Sequence, residues 1–222
     1  MNEKSGEKRT LGEILKHPLV NVIVGFLLTG VLGTTITQYY LAMRERQKAQ
    51  HELAVARKES IAALSTLNAE YLARAGRLLV AVERGDKDSA RELKSIFDDT
   101  AVRWQIEKPP TLLAARDALP EELYSEFRDH LDKGFRERFL LPFGKCMESA
   151  MDARATDGDV AGTLRECQAQ DYLVQATACS RVLLDMLYEL SGHTVAGRTE
   201  EARQINRDKY RPILQQACAI PE

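Results

Sequence analysis

The 222 residues carry 31 basic and 33 acidic side chains, a formal net charge of −2, which gives no electrostatic case for nucleic acid, since that partner usually needs a basic face. Aromatic residues make up only 6%, and leucine and alanine are frequent, a helix-forming composition. The length admits one domain with a real core and leaves room for an additional segment.

Residues 1–16 are polar, and 11–16 (LGEILK) can form a turn of helix. Residues 17–40, HPLVNVIVGFLLTGVLGTTITQYY, contain no Asp, Glu, Lys or Arg. A hydrocarbon core about 30 Å thick needs roughly 20 mostly apolar residues in a helix. Nothing else in the chain meets that requirement, so the stretch reads as a single transmembrane helix. Pro18 falls in the first turn, where its missing N–H costs nothing, and Tyr39 and Tyr40 end the segment as interfacial aromatics do. The apolar run is longer than a typical signal-peptide core and lacks an A-x-A cleavage site, so it reads as a retained anchor. Gly25, Thr29, Gly33 and Thr37 recur every four residues. Such a small-residue ridge lets two membrane helices approach closely. It points to a homo-oligomer or to docking on a partner membrane protein. No ionisable residue marks an ion path.

From residue 41 the helix is expected to continue to Gly85, first as a charged stalk (41–58), then with Ile61, Leu64, Leu67, Tyr71, Leu78 and Val82 on one face. Gly85 is a C-terminal helix signal, and Asp86 or Asp88 can cap the next helix. That helix, 88–108, places Leu93, Phe97 and Trp104 on one face, and Pro109 and Pro110 are expected to stop it. Residues 111–119 form a short helix or turn. Pro120 and the acids after it favour a helix start, followed by the stripe Leu123, Phe127, Leu131, Phe135 and Phe139, with Pro142 breaking or kinking it. Asp159 can cap a helical stretch over 160–192, in one piece or two with a turn near 168–171. Gly192 is expected to close it, and Thr199 to cap a last helix that Pro212 kinks. No clean strand alternation occurs. The fold class is all-α: one N-terminal transmembrane helix, a stalk helix and a soluble bundle of about five to seven helices, divided as 1–16, 17–40, 41–58 and 59–222.

Charge does not settle which side of the membrane the domain occupies. Lys4, Lys8, Arg9 and Lys16 precede the segment, and Arg44, Arg46, Lys48, Arg57 and Lys58 follow it. The four cysteines, Cys146, Cys167, Cys179 and Cys218, all lie within residues 146–218. An even, clustered set suggests two disulfides, which belong to oxidising compartments. Cys146 with Cys167 and Cys179 with Cys218 is the first pairing to expect. The domain is therefore placed on the periplasmic or extracytoplasmic side of a cell membrane, with the cytoplasm as the alternative.

Catalytic signatures are missing: no phosphate loop, GxGxxG, HExxH or GxSxG is present. No CxxC or paired histidine marks a metal site, and no cofactor or catalytic residue is assigned. Arg46 and His51 have RxxxxH spacing, similar to helical ribonuclease motifs, but a short motif without its context is weak. His130, with Asp129 and Asp132, reads as a charged helix face. Glu166 and Asp185 are the candidates for buried acids. The function expected is that of a non-enzymatic, membrane-anchored binding or scaffold protein that self-associates through its membrane helix. The alternatives are an oligomeric membrane-disrupting effector of the bacterial-defence type and a membrane-tethered helical hydrolase.

Overall fold

The computed structural model describes residues 18–218, without the side chains at 18–21, 23, 24, 27–29, 31, 32 and 114. The polar tail 1–16 and its helical turn lie outside the described residues. The described chain is all-helical and contains no strand. It divides into two units, Met1–His51 and Glu52–Glu222.

In the first unit the backbone is helical from Pro18, the start of α1 (Pro18–Arg84). Among the described residues no helix is long and apolar enough to cross a membrane. Much of the apolar stretch 17–40 falls on the side chains outside that set, Thr29 of the ridge included.

The second unit holds the remainder of α1, then α2 (Lys87–Ala118), α3 (Glu121–Asp129), the π-helical run π1 (His130–Leu140) and α4 (Leu141–Ala155). After these come α5 (Val160–Glu166), α6 (Ala169–Val195), α7 (Thr199–Ile205), the π-helical run π2 (Asn206–Tyr210) and α8 (Arg211–Cys218). Because α3–π1–α4 and α7–π2–α8 each run without a break, the described chain forms six helical rods.

The two π-helical runs follow from spacing. Leu123, Phe127, Leu131, Phe135 and Phe139 step by four residues, and each is at most 3% exposed. Ala202, Asn206, Tyr210, Leu214 and Cys218 do the same. At 3.6 residues per turn, each step of four overshoots by about 40°, so four steps would swing the stripe roughly 160° away from the core. Bonding from i to i+5 winds the chain more loosely and turns that drift back. At the return to α-helix, Leu141 N–H bonds Arg136 C=O and Arg211 N–H bonds Asn206 C=O, both five residues back. A proline follows at once in both cases, Pro142 and Pro212. The loose turn makes room for a ring that would otherwise clash one α-turn back.

Aromatic rings connect the layers. Phe143, Phe97, Tyr71, Trp104 and Phe135 form a chain with centroid separations of 5.7, 5.2, 6.3 and 6.0 Å. Edge and tilted geometries of this kind add to the area they bury. Burial pushes the Tyr71 phenol up to about 12. Beside Trp104, the Asn68 amide donates to Ser180 Oγ (3.0 Å) and accepts from Trp104 Nε1 (2.9 Å). This ties α1, α2 and α6 together at the centre of the core.

The structure departs from sequence expectation at three helix boundaries. Pro109 and Pro110 lie inside α2. They deprive the Gln105 and Ile106 carbonyls of helical donors, but both residues are exposed, and water can serve those oxygens. Trp104 and Leu112, each buried on either side of the prolines, and the Ser60 hydroxyl donating to Thr111 C=O, hold the helix across them. Gly192 does not end α6. A Cβ there would lie 2.9 Å from Arg57 Nη1, so this glycine admits the guanidinium that rests over the Tyr188 ring. The stop is Gly197, at φ +76°, whose N–H bonds Thr194 C=O. Thr199 is the first residue of α7 and not its cap, which is Arg198. Elsewhere Asp86 caps α2 by accepting from Ser89 N–H (3.1 Å). Asp159 caps α5 through Gly162 N–H (2.8 Å), and the turn at Cys167 and Gln168 separates α5 from α6.

Candidate functional site

The four cysteines meet as Cys146–Cys167 and Cys179–Cys218, both at disulfide distance, with Cα separations of 5.8 and 4.8 Å. This is the pairing that helix order suggests. The first pair links α4 to the turn after α5, and the second links α6 to the end of α8. Gly134 of π1 abuts the second pair: a Cβ there would meet Cys218 Cβ at 2.8 Å and Cys179 Sγ at 3.6 Å. Cys179 and Cys218 are both fully buried.

A cluster of polar side chains lies where α3 and π1 face α7, π2 and α8. Arg203 donates from Nε to Glu122 Oε1 at 2.8 Å and also meets Glu200 at 3.1 Å. One turn further on, Glu126 accepts from Asn206 Nδ2 (2.8 Å) and from Arg211 Nε and Nη2 (3.1 and 3.2 Å). One more turn brings His130, which is buried with Nδ1 lacking a hydrogen-bond partner; Asn206 Oδ1 is in the same state. The Glu122 carboxyl is held below its usual range first by its own backbone N–H at the helix start and then by Arg203. Burial lowers the His130 pKa, against the attraction of Glu126 and Asp129 and with smaller repulsion from Arg211 and Lys133. Both Glu126 oxygens are occupied by donors from the last rod. The cluster is built to clamp the α3–π1 rod to the last rod, α7–π2–α8, with His130 as its titratable centre.

That placement has a measurable consequence. A buried histidine whose pKa is depressed folds in its neutral form, so the unfolded chain takes up the proton first. The stabilisation from neutral His130 is present in full above its ordinary pKa of 6.5 and is lost as pH falls through the folded value. Urea midpoints are expected to drop as pH is lowered from 6.5 towards the carboxylate range, and His130→Gln is expected to flatten that drop. An unchanged slope in the variant would assign the pH response to other groups.

The residues singled out from sequence are dispersed. His130 is not on an exposed charged face: Asp129 pairs with Lys133 at 3.0 Å, and Asp132 pairs with Lys108, whose Nζ lies 4.7 Å from the Trp104 ring centre. Glu166 and Asp185 are exposed and are not buried acids. Arg46 and His51 are exposed on α1. On the ridge, Thr37 donates to Gly33 C=O at 2.7 Å, so its proton serves its own helix. Among the described residues no group of three or more His, Cys, Asp or Glu is placed to hold a metal ion. Asn68, Ser180 and Asn206 were missed in sequence; the only signal was a polar residue at a core position of a stepped stripe. No family model, curated protein or solved structure matches the chain.

Proposed function

We propose that this chain is a single-pass membrane-anchored helical binding or scaffold protein. In this reading residues 17–40 form the anchor, and Gly25, Thr29, Gly33 and Thr37 pack protomers or a partner's membrane helix. The observation that carries the reading is the exposure of large apolar side chains on a charge-free stretch: Phe26 is 79% exposed, Val22 70% and Ile36 54%. Exposed apolar side chains of this kind call for lipid or another protein to cover them. The two cysteine pairs support a domain on the oxidising side, since disulfides are rare in cytosol.

Thiol labelling in intact cells, with and without reductant, tests both points. An impermeant reagent is expected to reach Cys146, Cys167, Cys179 and Cys218 without lysis, and only after reduction. Labelling that needs lysis and no reductant would put free thiols in the cytoplasm and favour the membrane-disrupting effector. Recovery of the chain in the soluble fraction would remove the anchor altogether.

A further inference from the structure

The outward side of α2 carries a second seam, wholly within the unit Glu52–Glu222. Asp99, Val102, Ile106, Pro109, Leu113 and Arg116 follow the spacing 3-4-3-4-3 and are all exposed. Val102, Ile106 and Leu113 are 56, 68 and 60% exposed, although Trp104 and Leu112 of the same helix are buried. That spacing is the a/d seam by which two helices pack. It runs about 25 Å along the helix at 1.5 Å per residue.

The seam is symmetric about its own midpoint, between Glu107 and Lys108. Reversing it superposes Val102 on Leu113, Ile106 on Pro109 and Asp99 on Arg116. A two-fold interface has this property, because residue i must meet j while j meets i. We infer that α2 pairs antiparallel with α2 of a second copy, with an apolar centre and an Asp99–Arg116 ion pair at each end.

Charge selects this arrangement. Parallel pairing would set Asp99 against Asp99 and Arg116 against Arg116. Asp99 has no ion-pair partner among the described residues, and Arg116 has only Glu121, at 3.9 Å. Two of the charges beside the seam are already paired within the chain: Arg103 meets Glu70, and also Glu107 at 3.4 Å, and Asp98 meets Lys94 at 2.6 Å. So short a seam buries less than the roughly 800 Å² per partner of a standard interface. Pairing through it is therefore weak in dilute solution and needs a high local concentration. The inference does not depend on the membrane ridge.

The test replaces Ile106 by p-benzoylphenylalanine in the full chain, expressed in cells as two differently tagged copies, and reads light-induced cross-links. The expected product is a homodimer whose cross-linked peptide contains Pro109. Asp99→Arg or Arg116→Asp alone should cut its yield several-fold, and the two together should restore it. Because the cross-link reports contact at position 106, assembly through Gly25, Thr29 and Gly33 does not produce this charge dependence. Non-reducing gels check that each variant keeps both disulfides. Absence of the homodimer, a yield indifferent to single reversal, or a cross-link to a different protein would overturn the seam.

Discussion

Replacing Cys179 and Cys218 together by alanine is expected to cost about 4 kcal/mol of stability, from the chain entropy that closing a loop of this length removes from the unfolded state. The two positions are 39 residues apart. The tertiary setting adds to the entropic argument. The bridge pins the last residue of α8 to the middle of α6, and the bare Cα of Gly134 leaves room for it. Without the bridge, Cys218 is the C-terminal residue of α8, where helices fray most readily. The Cys146–Cys167 pair is separated by 21 residues, so the same reasoning gives about 3 kcal/mol for its removal. Urea denaturation of the oxidised protein and the two double-alanine variants checks both values. The larger loss belongs to the 179–218 variant, and a loss under about 1 kcal/mol in both would mean that the bridges constrain little chain.

Trp104→Ala is the second large effect, expected at about 4 kcal/mol. The side chain is 1% exposed, and its ring joins Tyr71 of α1 to Phe135 of π1. Its removal opens a cavity at the junction of three rods and strands Asn68 Oδ1 in the core. Trp104→Phe separates the two contributions. It keeps most of the ring packing and loses the 2.9 Å hydrogen bond, so a smaller loss of about 1–3 kcal/mol is expected, the cost of an unsatisfied buried acceptor. Equal losses in the two variants would show that the hydrogen bond, and not the ring, is what the site needs. Adding Asn68→Leu together with Ser180→Ala to Trp104→Phe should recover part of the loss, because the stranded acceptor is then gone and no Ser180 hydroxyl is left without its Asn68 donor. Lys108 stacks on the indole and pairs with Asp132, so the alanine variant also loosens that surface contact.

The amino-acid sequence by itself determined the all-helical class, the apolar core stripes of α1, α2 and α3–π1, and most of the boundaries. Those properties are local: periodicity, caps and glycine signals act over a few residues. It also contained the step-of-four stripes that call for loose winding, at Leu123 to Phe139 and at Ala202 to Cys218. Helix order made Cys146–Cys167 and Cys179–Cys218 the first pairing to expect, but connectivity cannot be deduced from sequence alone, and the fold decides it. What the tertiary structure decided was which local signals would be overruled. Pro109 and Pro110 carry a stop signal, yet Trp104 and Leu112 packing on either side keeps α2 whole. Gly192 and Gly197 look alike in sequence, and the Arg57 guanidinium occupies the space a side chain at 192 would need, so Gly197 became the helix end. His130 sits among charged residues in sequence but is buried, while Asp185 sits among apolar residues and is exposed. Burial of a single polar side chain depends on which rod lies opposite, and that partner comes from tens of residues away in the chain.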